Sequence, residues 1–87
     1  MDISWEKDAQ EKFKQMIEKV PVFLRNMAQE NVLKKLESIV SQNNHVEATE
    51  KDMVDAFFAA TPFGFHGPMK CDMEDLGIDY QKYGYKR

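Results

Sequence analysis

The sequence predicts a small all-α domain: three amphipathic helices followed by an irregular aromatic tail with room for one short extra helix. Three observations carry that expectation. Apolar residues recur at spacings of three and four before residue 60, prolines stand where helical patterns stop, and all four glycines lie beyond residue 60. The chain therefore divides into a three-helix part, 1–60, and a Gly/Pro/aromatic tail, 61–87, with no internal repeat.

In the first helix Trp5, Ala9, Phe13, Met16, Ile17 and Val20 draw one stripe, the mark of a helix with a single buried face. Ser4 is placed to cap it, and Glu6 and Asp8 set negative charge in the first turn, where free N–H groups and the helix dipole favour it. Pro21 disfavours helical geometry at Val20, so the first helix ends there, and the same ring suits the first position of a second helix. That second helix runs to about Gln42, with Leu24, Ala28, Val32, Leu36, Ile39 and Val40 on one side and Phe23 and Met27 widening the stripe. Asn43 and Asn44 tolerate the left-handed conformation that closes a helix.

Thr49, with Asp52 three residues on, forms a near capping box ahead of Met53, Val54, Ala56, Phe57 and Phe58. The third helix starts here and stops at Thr61-Pro62. Beyond it, two of the three prolines and all three tyrosines join the glycines. "DMEDLG", residues 72–77, offers one or two turns ending at Gly77. Residues 3–60 are expected to fold without the tail, because residues after Asp72 supply few apolar groups at core spacing. The final tyrosines are expected to meet a partner or stay unordered, as chain ends do unless tied down.

With 87 residues the chain is one domain. A domain this small buries only about 60–65% of the surface its unfolded chain exposes, so a deep catalytic cleft is hard to house and binding is the easier role. The net charge of −3, from 12 basic and 15 acidic residues mixed along the chain, does not supply the basic face that nucleic acid requires. Cys71 stands alone, which excludes an internal disulfide, and no stretch is apolar for long enough to cross a membrane or act as a secretory signal. A cytoplasmic protein is expected, and Met1 with no visible tag is what a complete small protein would show.

Trp5, Ala9, Val20, Pro21, Phe23, Leu24, Arg25, Thr49, Met53 and Ala56 form a wider pattern: Trp, Ala, hydrophobic-Pro-x-Phe-hydrophobic-Arg, a long helix, then Thr with a hydrophobic residue and Ala downstream. This resembles the small C-terminal domain of the B subunit of light-independent protochlorophyllide reductase, a pattern shared by short stand-alone proteins. The resemblance covers residues 3–58. Val22 stands where that family has a second Phe, "NMAQEN" replaces the basic residues after the Arg, the second helix plus loop is about a turn longer, and the tail has no counterpart. The reductase is nitrogenase-like, with its cluster ligands and pigment pocket mainly in a portion of the subunit absent here. What the resemblance implies is an accessory or docking domain, beside a nitrogenase-like or tetrapyrrole-reducing system.

Arg25 is the first candidate site residue. A cation in the first turn of a helix opposes the dipole, so it needs either an internal partner, such as Glu18 or the free carbonyls at the end of the first helix, or an anion to bind. Locking the corner is the favoured alternative. The second would make Arg25, with apolar surface at Phe23 and Met27, a site for a flat acidic ligand such as a tetrapyrrole. Trp5, Phe13, Phe23, Phe57 and Phe58 read as core; Phe57 and Phe58 point about 100° apart, so one of them covers the tail or a partner. Phe63 and Phe65 either fold back on the helices or anchor a protein partner.

No catalytic constellation is found and no cofactor is expected. His45, His66 and Cys71 fall short of a closed metal site, so no metal is expected, and Cys71 remains a redox candidate only. Glu47, Glu50, Asp52 and Asp55 read as helix N-terminal charge and solvated surface.

Overall fold

Two prolines set the architecture. In a computed structural model, which describes residues 3–86, α1 (Lys7–Lys19) ends in extended backbone at Val20, and Pro21 leads into a 3-10 turn, Val22–Leu24, that runs directly into α2 (Arg25–Gln42). The same path recurs: α3 (Glu50–Ala60) ends in extended backbone at Thr61, and Pro62 leads through a second 3-10 turn, Phe63–Phe65, into α4 (His66–Asp75). A third 3-10 turn, Tyr80–Tyr83, follows.

The agreement between the two halves extends to their ends. Beyond α2, Asn44 is left-handed (φ 55), with Asn44 N–H bonded to the Ser41 carbonyl and His45 N–H to the Val40 carbonyl. Beyond α4, Gly77 takes that role (φ 73), with its N–H on Glu74 and the N–H of Ile78 on Met73. Both pairs satisfy carbonyls that a helix end leaves free. The molecule is thus two helix–proline–helix units of one backbone plan. That corrects the absence of a repeat: the repetition lies in the backbone path, carried by few identical residues.

The all-α expectation holds, with four helices and no strand among the described residues. The extra helix is longer and earlier than residues 72–77. Gly67 and Pro68 look like breakers, but they occupy the first turn of α4, where an amide hydrogen has no intrahelical partner and proline does no damage.

α2 and α3 pack most extensively, and α1 lies against both as well as against α4. Leu36, Met53, Val54, Ala56 and Met73 are wholly inaccessible. Met73, Ile78 and Tyr80 join Met69 in this core cluster, which corrects the expectation that residues after Asp72 contribute little to it. A radius of gyration of 12.0 Å matches the ~12 Å of a chain this long with no loose segment.

Three local expectations change. Ser4 does not cap α1: its carbonyl accepts the N–H of Ala48 at 2.7 Å, and the N–H of Glu6 is bonded to the Ala48 carbonyl at 3.0 Å, so a parallel bridge between Trp5 and Ala48 holds this backbone extended. Phe23 leaves the core stripe and is 84% exposed, because it lies on the 3-10 turn rather than on α2. The near capping box is complete: Thr49 Oγ1 accepts the Asp52 N–H, and the Asp52 carboxylate accepts the Thr49 N–H, each at 3.1 Å.

Candidate functional site

Each corner turns the chain out of one helix and into the next, leaving carbonyls at the bend without helical partners. At the first, Arg25 Nε donates to the Val20 carbonyl at 2.9 Å and its Nη2 to the Glu18 carbonyl at 2.7 Å. The guanidinium therefore lies at the C-terminal end of α1, whose dipole favours a cation and offsets its unfavourable place in the first turn of α2. At the second corner His66, in the position equivalent to Arg25, bonds through Nε2 to the Thr61 carbonyl at 2.9 Å. A carbonyl can only accept, so Nε2 carries the proton. The ring stands edge-on to Phe58, with centroids 5.1 Å apart at 87°.

Between the corners lies an apolar groove of about 500 Å³, a volume within the range of ligand pockets. Val20, Pro21, Leu24 and Met27 form one wall and Pro62, Phe65 and Pro68 the other, over a floor of Met16, Val32, Phe57 and Met69. Its charged liners are Lys19 and Asp72. Exposed apolar side chains gather on the same two turns: Val22 is 75% exposed, Phe23 84%, Phe63 88% and Phe65 64%, with Met27 at 58% on α2. In a chain this small such a concentration sets these turns apart from scattered surface hydrophobes.

A family model described as protein of unknown function (DUF2621) matches residues 2–86. The chain belongs to the DUF2621 family. The match takes in both corners of the DUF2621 chain and the segment after residue 60 as far as residue 86. No curated protein and no solved structure matches it.

Of the candidate residues, the fold brings Met27 and Phe65 together in the groove. Phe23 and Phe63 do not line it but stand exposed on the turns that border it. The two donors of Arg25 described above are committed to backbone. Cys71 is free and exposed on α4, outside the groove. Among the described residues no three His, Cys, Asp or Glu side chains gather as metal ligands would.

The acidic set, read as solvated, is where the sequence misled most. Asp52 is fully buried, with His45 Nδ1 at 2.6 Å from its carboxylate. Burial pushes its pKa up, but the bonds from His45 and Thr49 outweigh that and hold it below the ordinary 3.8. Glu50 accepts from the Tyr83 hydroxyl at 2.7 Å and pairs with Lys12, and Asp55 accepts from the Tyr85 hydroxyl. Burial raises the Glu50 pKa, and Lys12, Tyr83 and Lys82 together more than reverse it. Burial, then the carboxylate partner, pushes both phenols well above their usual 10.0. Tyr85 also stacks on Phe58, with centroids 3.9 Å apart. Of the neighbouring phenylalanines, Phe57 faces Phe13 at 5.8 Å and Phe58 takes the chain end. Tyr83 and Tyr85, expected to meet a partner or stay unordered, are thus ties onto α3, made to acids 33 and 30 positions away. No short-range pattern could reveal them. The spacing that could have revealed the groove is proline followed four residues later by a basic side chain, in "VPVFLR" and again in "TPFGFH".

Proposed function

We propose that this DUF2621 chain is a non-catalytic docking module that works by protein–protein contact through the groove between its two corners. The observation that carries this reading is the exposure of Phe23, Phe63 and Phe65 at 84%, 88% and 64% around an apolar groove. Aromatic anchors beside a preformed apolar cleft are what protein interfaces use. His45 and His66, the residues best suited to proton transfer near neutral pH, are both engaged in holding the fold, which favours binding over catalysis. The likeness of residues 3–58 to the reductase-subunit domain supports an accessory role beside a larger enzyme, and a nitrogenase-like or tetrapyrrole-reducing system is the setting it proposes. No helix of the described residues is long and apolar enough to cross a membrane. The lone free Cys71 fits a reducing compartment, so the cytoplasm is the proposed location.

The test is site-specific photo-cross-linking in the native host. A photoreactive side chain replacing Phe65 should give discrete protein adducts, while one replacing Lys35, exposed on α2 outside the groove, should not. Equal adducts at both positions, or none at either, would refute the docking role.

A further inference from the structure

Arg25 is committed to the first corner, so an acidic ligand has to be sought at cations that the fold leaves available. Two of them meet beside the second corner. Phe63 does not line the groove between the corners; with Phe58, His66, Lys70, Tyr85 and Lys86 it lines a separate concavity of about 410 Å³, a volume within the range of small-molecule sites. Asp55 is the acid of this lining, and its carboxylate already accepts from Lys51 and from the Tyr85 hydroxyl. Among the described residues no carboxylate pairs with Lys70 or Lys86, whereas Lys12, Lys19, Lys51 and Lys82 all lie in ion pairs. In a chain of net charge −3 this concavity therefore carries a local field of the opposite sign. Lys70 is half-buried, with Nζ 5.9 Å from the centroid of Phe58, and beside an apolar ring its charge is less screened than in open water.

The remaining walls are rings. Tyr85 lies flat on Phe58, with centroids 3.9 Å apart and planes at 5°, and His66 stands edge-on to the same ring. The Nε2 of His66 is committed to the Thr61 carbonyl, so this residue contributes its ring to the lining. Phe63 is 5.5 Å from that imidazole yet 88% exposed, which leaves its ring open to a flat partner at stacking distance. An ammonium group is a compact point charge without the fixed fork of a guanidinium, so the two lysines suit carboxylate and phosphate oxygens alike. The charge thus selects an anion, and the rings select its shape.

We propose that this concavity binds a small aromatic anion, a ring bearing a carboxylate or phosphate, with the ring against Phe63 and the acid group held by Lys70 and Lys86. The test titrates the full, isotope-labelled chain with phenyl phosphate, benzoate, inorganic phosphate and benzyl alcohol, and reads binding from the shifts of backbone amide resonances. Phenyl phosphate or benzoate should saturate with a dissociation constant of about 1 mM or tighter, the scale open to a ligand of roughly ten heavy atoms. The shifts should centre on Phe63, His66, Lys70 and Lys86, and the tighter of the two aromatic acids identifies the acid group. Inorganic phosphate lacks the ring and benzyl alcohol the charge, so each should bind at least ~10-fold more weakly. Lys70→Gln combined with Lys86→Gln should weaken binding of the aromatic acid at least ~10-fold. Phe63→Ala should weaken it as much while its circular dichroism matches the parent's, because that side chain is exposed. The inference is overturned if neither aromatic acid saturates at ~20 mM, or if inorganic phosphate or benzyl alcohol binds as tightly as they do. Shifts centred on Leu24, Met27 and Phe65 in the groove overturn it too, as does parent-strength binding by either variant. None of these results bears on the docking role, which cross-linking from position 65 tests by itself.

Discussion

At the corner between α1 and α2, Arg25 spans two carbonyls, those of Val20 and Glu18; at the corner between α3 and α4, His66 reaches one, that of Thr61. The backbone path is the same, yet the locks differ in kind, and their surroundings explain why. The first bend leaves two carbonyls to be met, those of Val20 and Glu18, and a guanidinium with its N–H groups in a fixed fork suits that pair. His66 has its ring against Phe58 and, at 5.5 Å, against Phe63. Packing there orients a weaker donor, and one hydrogen bond suffices. A chain reversal of this type thus needs its carbonyls satisfied, and the strength of the lock follows how much of the surrounding structure already holds the bend.

The harshest way to break the comparison is to remove one side of it. A chain ending at Ala60 loses Met69, Met73, Ile78 and Tyr80 from the core, each worth about 1.5–3 kcal/mol when buried. Set against a total stability of roughly 5–15 kcal/mol, that should abolish cooperative melting, read by circular dichroism. A truncated chain that still melts cooperatively would show the first unit to be self-sufficient.

Next in size are the locks themselves. Arg25→Ala should cost about 2 kcal/mol and His66→Ala about 1 kcal/mol in urea unfolding, following two hydrogen bonds at the first corner against one at the second. Arg25→His should fall between parent and alanine, since it retains a donor but loses the fork. Equal losses at the two corners would contradict the difference drawn above.

Much of this was legible in the sequence, and the parts that were not share a physical cause. The stripe through Phe13 and Met16, the Thr49 cap and the Pro21 corner are local patterns, set by residues within about one helical turn of each other. α4 was obscured because Gly67 and Pro68 tolerate its first turn while resembling breakers. The ties from Tyr83 and Tyr85 were invisible because their acceptors sit on another helix. The groove needed both corners at once, and only the fold brings Leu24 and Pro62 to one cleft.

A pH series sharpens the comparison further. The second unit is tied down by phenols whose pKa is higher folded than unfolded. Their contribution is fully present below the usual 10.0 and is lost as pH rises beyond it. Tyr83→Phe with Tyr85→Phe should therefore flatten the alkaline fall in midpoint. Asp52 and Glu50 have the opposite sign: held below 3.8 and 4.5, they stabilise the fold above those values and lose that contribution as pH falls through their folded values. An alkaline limb unaffected by the double Tyr→Phe variant would place the titration elsewhere.

The smallest expected effect lies at Gly64, which occupies the place of Phe23 in the second turn. A Cβ there meets nothing within 4 Å and the backbone needs no left-handed conformation. Gly64→Ala should raise stability by about 0.4–1 kcal/mol by restricting the unfolded chain. A decrease would reveal strain at this turn that its partner, built on Phe23, does not share.

The bridge between Trp5 and Ala48 has a kinetic consequence. Closing it joins chain segments separated by the whole of α1 and α2, so its entropy must be met after the helices and their corners, which form from neighbouring residues. Trp5 is the sole tryptophan and lies 5.0 Å from the ring of Phe13. Its fluorescence therefore reports the docking of the N-terminal segment, and in stopped-flow refolding it should not precede the far-ultraviolet helical signal. The chain carries its own built-in clock for one long-range event of its assembly.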